Sequence, residues 1–346
     1  GSFPIKFNGS IFTTEATDKG DWNADYRRWG GGYWWQNTRL PYWSMLESGD
    51  FDLMQPLFRM YRDNLESRRA ATREYYHHDG AFFPETQTFW GSYMECNYGR
   101  DRSQLPNGMT LNRFIRYYWQ GGLELSLMML DYHAFTGDEA FARETLLPLA
   151  SEILTFFDQH GQRAAEGEIH FDPAMALETY REAVNPLVEI VGIHKVCEEM
   201  LALPEELTTS AQREQWQRLI SELPPVPMHM VNGKKVLACA ESYRGKQNVE
   251  NPELYAIFPY RRYGIGKPEL ELARRTFAAR AVQKTGGWQQ NAIKAAYLGL
   301  ADEAAKMVGQ NFSSRSREHR FPAMWGPNYD WTPDQCHGSV AMTALQ

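Results

Sequence analysis

The chain has few cysteines, no net positive charge and no long apolar runs, and each shortage excludes a class of protein. Four cysteines in 346 residues, Cys96, Cys197, Cys239 and Cys336, stand far apart, with no Cys-x-x-Cys pair and no Cys/His cluster at metal-ligand spacing. A structural zinc site and a disulfide-dense scaffold are therefore excluded. Acidic residues outnumber basic ones 43 to 36, giving a formal net charge of −7. Nucleic acids and anionic membranes need a positive field, so neither is an expected partner. No apolar run reaches the roughly 18 residues that a membrane-spanning helix requires. Glycine (27) and proline (18) are not in excess, and hydrophobic residues make up 43% of the chain. That composition is globular, not collagen-like or disordered.

Aromatic residues are abundant: 11 Trp, 18 Tyr and 18 Phe, or 14% of the chain. Burying so many rings completely is difficult, and some are expected to line a cleft. Pyranose rings suit such a cleft, because their C–H faces stack on aromatics while their hydroxyls need polar partners. The alternative is a large aromatic core.

Strand signals are scarce, and apolar spacing of three to four residues predicts helices over most of the chain. They fall at about 52–71, 110–135, 139–159, 184–202, 209–223, 268–284, 289–299 and 301–310, with a last one starting near Gly338. Thr136-Gly137-Asp138 reads as a helix stop followed by an N-cap, hence a tight antiparallel helical hairpin. Thr209 or Ser210 caps the 209–223 helix. Residues 226–243 are expected to form a β-hairpin turning at Asn232-Gly233. Long loops separate the helices at 72–109, 160–181, 226–251 and 311–337, and loops of this length usually carry function. The helix count and the absence of a linker predict an all-α (α/α)6 toroid, a ring of helical hairpins, with long loops forming an aromatic cleft. The expectation is one (α/α)6 catalytic domain spanning residues 1–346, with excision from a longer multidomain enzyme as the open alternative. A two-domain helical protein is the alternative.

Several loops carry groups suited to acid–base chemistry. Phe171-Asp172-Pro173-Ala174-Met175-Ala176-Leu177-Glu178-Thr179 follows a turn at Gly167 and reads as leading into a helix. Its apolar and small neighbours would desolvate Glu178 and raise its pKa, as a general acid at neutral pH requires. A solvated first-turn glutamate is the competing reading. Trp331-Thr332-Pro333-Asp334-Gln335-Cys336-His337-Gly338 places Asp334 just before a helix. An N-cap there also keeps the carboxylate ionised, as a general base must be. Trp29 to Trp43 reads as a loop holding four tryptophans, three consecutive glycines and the amides Gln36 and Asn37. No Lys-Ser/Thr follows the glycines, which excludes a phosphate-binding P-loop. In Gln247 to Arg262, the polar groups Asn248, Glu250 and Glu253 crowd ahead of an apolar stretch and Arg261 follows it, with Glu250, Glu253 and Arg261 as candidate ligand contacts. His77-His78 and Phe83-Pro84-Glu85-Thr86-Gln87 are further candidates for the cleft. Adjacent histidines in a loop rarely face one ion, and no metal or cofactor is expected.

Taken in order, these segments resemble family 95 of the glycoside hydrolases, the inverting α-L-fucosidase and α-L-galactosidase family. The matching segments are Phe3 to Phe12, Tyr33 to Trp43, residues 118–160, Pro173 to Thr179, Leu254 to Pro259, Thr285-Gly286-Gly287-Trp288, and Asp334 to Gly338 with Ala341. Pro173-Ala174-Met175-Ala176-Leu177-Glu178-Thr179 is similar to the family's Pro-Ser-x-Ser-Pro-Glu-Asn, whose Glu is the general acid. Asp334 to Gly338 is similar to its Asp-Gly-Asn-x-Gly, whose Asp is the base. Asn37 matches the second of its paired asparagines. The resemblance thus implies an (α/α)6 catalytic domain with Glu178, Asp334 and Asn37 as catalytic residues. It implies sugar contacts from Trp34, Trp35, Gln36, Asn248, Glu250, Glu253, Trp288 and His337. The implied substrate is an oligosaccharide or polysaccharide of plant or host origin, with an α-L-fucoside- or galactoside-like bond. The implied setting is a bacterial periplasmic or secreted one.

The chain also departs from the family. Trp35 replaces the first paired asparagine, and Asn248-Val249-Glu250-Asn251-Pro252-Glu253 replaces the family's His-Arg-His-x-Ser-His. The sugar-gripping cations and imidazoles give way to acids and amides, which reverses the hydrogen-bond polarity. Other chemistries run on the same ring of hairpins. A polysaccharide lyase or epimerase would draw a base from Tyr255 and a charge-neutralising partner from Arg261, and a non-catalytic glycan-binding module needs neither carboxylate.

Overall fold

A computed structural model describes residues 3–5, 32–285, 289–313 and 336–346. The N-terminal described part has a short strand β1 (Tyr33–Trp34), then helices α1 (Trp35–Thr38), α2 (Leu40–Ser48), α3 (Phe51–Asp63) and α4 (Leu65–Tyr76). Next come β2 (Thr86–Gln87), antiparallel to β1, and α5 (Glu95–Tyr98). Helix α6 (Gly121–Thr136) is followed by α7 (Glu139–Phe141), a π-helical segment (Ala142–Leu146) and α8 (Leu147–His160). Two small antiparallel pairings come next: β3 (Gln162–Arg163) with β4 (Ile169–His170), and β5 (Ala174–Ala176) with β6 (Tyr180–Val184). Helices α9 (Leu187–Ala202) and α10 (Ser210–Ser221) precede the hairpin β7 (Met228–Val231) and β8 (Lys234–Leu237). Strand β9 (Ser242–Lys246) joins β6, so β6 lies between β5 and β9. The rest is a 3₁₀ turn (Pro252–Ala256), then α11 (Leu270–Ala279), α12 (Asn291–Tyr297), α13 (Ala301–Phe312) and α14 (Cys336–Leu345).

The packing is an (α/α)6 toroid. An inner ring runs α2, α6, α9, the 252–256 turn, α12 and α14, and α14 packs back on α2 to close it. Helices α3, α8, α10, α11 and α13 pack on these from outside. Sequence separates the two layers. Inner helix α6 is buried on every side from Gly121 to Leu130. Outer helix α3 instead buries only Met54, Leu57, Phe58, Met60 and Tyr61 along one stripe, leaving Leu53 in solvent. Among the described residues no helix is long and apolar enough to cross a membrane.

Several expected features stand. Gly137 takes a left-handed conformation (φ 65°), and the Asp138 side chain accepts from the Phe141 N–H at 2.9 Å, so α6 and α8 turn back on each other. Thr209 and Gln212 form a capping box at α10. Asn232 and Gly233, at φ 49° and 75°, form the tight turn between β7 and β8.

Other expectations are corrected. The 52–71 helix is split at Asn64, whose amide donates to the Phe89 carbonyl at 2.9 Å. The 110–135 helix begins only at Gly121. Before it, Thr110 Oγ1 donates to the Asn112 carbonyl and Asn112 Oδ1 accepts from the Phe114 N–H, offering the backbone an alternative to helix. Gly121 and Gly122 are the first two residues of that helix. A Cβ on Gly121 would stand 3.0 Å from the Trp35 ring, and one on Gly122 would stand 3.2 Å from Ile153, so the pair permits close packing. The Trp29–Trp43 loop is helical from Trp35 onward, with Pro41 in the first turn of α2. Glu178 does not lead into a helix. It lies in the turn between β5 and β6, after Leu177 in the left-handed region (φ 56°).

Candidate functional site

The β5–β6 turn, the α1–α2 junction and the segment between β9 and the 252–256 turn meet over the start of α6. Glu178 is buried (6% exposed), and its Oε2 accepts from Asn248 Nδ2 at 2.8 Å. Asn248 is fixed in turn, because its Oδ1 accepts from the Val249 N–H at 2.8 Å. The Val249 carbonyl accepts from Gln289 Nε2. Next to Glu178, Thr179 Oγ1 donates to Glu250 Oε2 at 3.3 Å. The other oxygen of Glu250 accepts from the Tyr255 hydroxyl at 3.5 Å. That hydroxyl accepts from Arg39 Nη2 at 2.6 Å, and Arg39 Nη1 pairs with Glu124 on α6. Gln120 holds the same Glu124 oxygen at 2.9 Å, and its own Oε1 accepts from the Tyr260 hydroxyl at 3.0 Å. An unbroken buried polar chain thus leads from the Glu178 turn to the inner helix α6.

Burial sets the charge states here. It lifts the Glu85 carboxyl to about 8, against the pull of the Gln36 N–H, which donates to it at 3.0 Å, and of Arg39; Glu250 pushes it further up. Burial also raises Glu250, held back by Arg39, the Gln36 amide, Lys294 and Thr179. Lys294 on α12 is buried with its ammonium 4.8 Å from the centre of the Tyr255 ring. Desolvation lowers it to about 7, despite the attraction of Glu253 and Glu250. For Arg39, burial alone would lower the pKa, but Glu124, Tyr255 and Tyr118 more than reverse this and hold the guanidinium charged.

The expected site residues fall into groups. Asn248 bonds Glu178 directly, and Glu250 reaches the same turn through Thr179. Asn37 and Gln36 are buried on α1, beside Arg39. Trp34 lies in β1. Trp35 is a core residue whose ring meets Tyr61 edge-on at 5.8 Å. Glu253 lines a cavity of about 360 Å³ together with Tyr180, Cys239 and Thr276. Burial lifts its carboxyl to about 7. Asp334 and Trp288 lie outside the described residues, and so does the side chain of His337 in the first turn of α14. His78 Nε2 lies 3.0 Å from Nδ1 of His160. The lyase pairing is not assembled either, since Arg261 makes two bonds to Asp131 at 2.6 and 2.8 Å and Tyr255 is held by Arg39.

The sequence reading missed Arg39, Glu124 and Lys294. Two of them had a legible signal, because Glu124 and Lys294 are lone charges in otherwise apolar or small helical runs, Gly121 to Leu125 and Ala292 to Ala296. A charge in such a run is buried and needs a partner.

Residues 13–344 match the glycosyl hydrolase family 95 catalytic domain. Among curated proteins none matches the chain. Among solved structures, the chain resembles a protein described as a kojibiose phosphorylase from human microbiome (TM-score 0.56, 14% identity), matching over 91% of this chain and 49% of that one. The chain therefore spans about half the length of that protein. It also resembles a glycosidase variant in complex with glucose (TM-score 0.56, 14% identity, 92% of this chain and 87% of that one). A glycosidase with a tyrosine-to-phenylalanine substitution is similar at TM-score 0.57, 14% identity and the same two coverages. At such identity these likenesses establish the shared fold.

Proposed function

Because the chain belongs to glycosyl hydrolase family 95 and is a glycoside hydrolase catalytic domain, we propose that it cleaves its glycosidic bond with inversion, using Glu178 as general acid and Asp334 as general base. In this reading Glu178 gives its proton to the leaving glycosidic oxygen as the bond to the anomeric carbon breaks. Asp334 takes a proton from a water, whose oxygen bonds the same carbon from the opposite face. Asn37 positions that water and the base. An inverting pair needs room for the water, a separation of roughly 6.5–9.5 Å between carboxyls.

The observation that carries the reading is the mounting of Glu178. It stands at the turn of a hairpin, sheltered from water, with one oxygen fixed by Asn248. A turn braced from both sides holds a proton donor in one place, as general-acid catalysis requires. The substrate class is a plant or host glycan with an α-L-fucoside- or galactoside-like linkage. Asn248 and Glu250, which stand in the family's His-rich stretch, brace Glu178 and its turn here, so sugar recognition at this site differs from that of the fucosidases.

Glu178→Gln is expected to lower turnover by about 10²–10⁴-fold on natural glycans with poor leaving groups, and much less on aryl glycosides. Asp334→Asn is expected to lower it on both. NMR of the first-formed anomer reads inversion directly. Full activity of Glu178→Gln on a natural glycan, or a retained anomer, defeats the assignment.

A further inference from the structure

Four cations are buried among the described residues: Arg39, Arg68, Arg280 and Lys294. The protein supplies acceptors for three of them. Arg39 donates to the Tyr255 hydroxyl and pairs with Glu124. Arg68 donates to the Phe82 and Gly91 carbonyls at 2.8 and 3.1 Å. Arg280 donates to the Phe277 carbonyl at 2.7 Å and pairs with Glu303 at 3.0 Å. Lys294 is different. It is 3% exposed, and among the described residues its ammonium has neither a hydrogen-bond acceptor nor an ion pair. It rests over the Tyr255 ring, and Glu253 and Glu250 attract it only from beyond ion-pair distance. An ammonium carries three donors, and burying it with none of them filled is costly. A methionine would occupy the same space without that cost, so the fold alone gives the charge no use.

Lys294 is joined to the Glu178 site from two directions. The Tyr255 hydroxyl donates to Glu250, which accepts from Thr179 beside Glu178. Just ahead of α12, Gln289 donates to the Val249 carbonyl, next to the Asn248 that holds Glu178. Between them stands Gln290. The Lys294 N–H donates to its carbonyl at 3.1 Å, so the two side chains lie one turn apart on one face of the helix. Gln290 is 2% exposed, and its Oε1 is also without a partner. One face of an inner helix therefore carries unfilled donors and an unfilled acceptor that do not fill each other. Two neighbouring sugar hydroxyls complement that pair, because each hydroxyl both accepts and donates.

We propose that Lys294 is a specificity-determining residue of this hydrolase: its ammonium, with Gln290 one turn before it, binds neighbouring hydroxyls of the sugar held against the Glu178 turn. The inference rests on the reading above that Glu178 marks the point of cleavage. It adds a sugar contact from α12, a helix that reading does not use.

Steady-state kinetics on 4-nitrophenyl α-L-fucoside and α-L-galactoside, and on their 2-, 3- and 4-deoxy analogues, tests it, with calorimetry of each variant. Lys294→Met should lower kcat/KM on the parent glycoside by about tenfold or more, the scale of a hydrogen bond to a charged group. On the analogue that lacks the contacted hydroxyl, variant and unaltered protein should agree within about twofold, because the contact is already missing. Lys294→Gln keeps a donor and should recover part of the loss. The melting temperature of Lys294→Met at pH 6 should be no lower than that of the unaltered protein, since the change removes an uncompensated buried charge. An equal loss on every analogue, an unchanged kcat/KM, or a clear fall in melting temperature overturns the proposal, while turnover of the parent glycosides keeps the hydrolase reading. No turnover of either parent by the unaltered protein removes that reading and this inference together.

Discussion

Arg39 and Glu124 show how a buried charge pair can serve a site without touching a ligand. Both side chains are wholly inaccessible, and each has further partners, Tyr255 for Arg39 and Gln120 for Glu124. Desolvating two charges is expensive, and their mutual attraction offsets this only when the remaining donors and acceptors are filled. The expense favours one geometry for the chain that ends at Thr179. Removing one partner is a different matter, because it strands the other charge. Glu124→Gln is expected to destabilise the fold by about 3–5 kcal/mol, leaving Arg39 buried and charged. Urea denaturation of the variant beside the unaltered protein measures it. A loss below about 1 kcal/mol would mean that water or Tyr255 already compensates Arg39.

The β5–β6 hairpin is the element on which the proposed chemistry depends, and it was the least legible part of the fold. The helices of the ring announce themselves by spacing, and the α6–α8 and β7–β8 turns by Gly137-Asp138 and Asn232-Gly233. Nothing comparable marks Ala174 to Val184. Its turn is shaped by Leu177 at positive φ, a conformation that no local pattern suggests for leucine. Its strands form because β9, some sixty residues later, pairs with β6. Glu178 itself was legible, because a carboxylate among small apolar residues is informative whatever the backbone does. Its brace was legible only as a polar cluster, because the bonds from Asn248 and Thr179 span long stretches of sequence. The bond from Thr179 to Glu250 gives a test at this scale. Thr179→Val keeps the β-branched shape and removes the donor, so the turn should persist while Glu178 loses its alignment. A drop in kcat of about tenfold, with KM unchanged within about twofold, is the expected result in steady-state kinetics. A rise in KM with unchanged kcat would instead assign Thr179 or Glu250 to sugar binding.

Across the whole molecule, the toroid gathers ionisable groups at its centre in states they do not hold in water, and this couples stability to pH. Burial raises Glu85 to about 8 and Glu253 to about 7, and lifts Glu189 on inner helix α9 well above its usual range. For each, the folded protein keeps a proton that the unfolded chain releases above its ordinary value of 4.5. Their contribution to stability is therefore complete below that value and is lost as pH rises through the folded value. Lys294 has the opposite sign. Folded, it gives up its proton near 7, while the unfolded chain holds one up to 10.5. Its penalty is largest at and below pH 7 and fades as pH climbs to 10.5. Glu85→Gln replaces a titrating group with a neutral one of the same shape. Its melting temperature relative to the unaltered protein should rise steadily from pH 5 to pH 8. Lys294→Met should show the reverse trend, its relative melting temperature falling between pH 7 and pH 10. Differential scanning calorimetry at fixed ionic strength separates the two curves. Parallel curves at every pH for Glu85→Gln would mean that its carboxylate stays ionised inside the ring, paired with Arg39 across the Gln36 turn. The electrostatic centre would then be an ion cluster and not a set of neutralised acids.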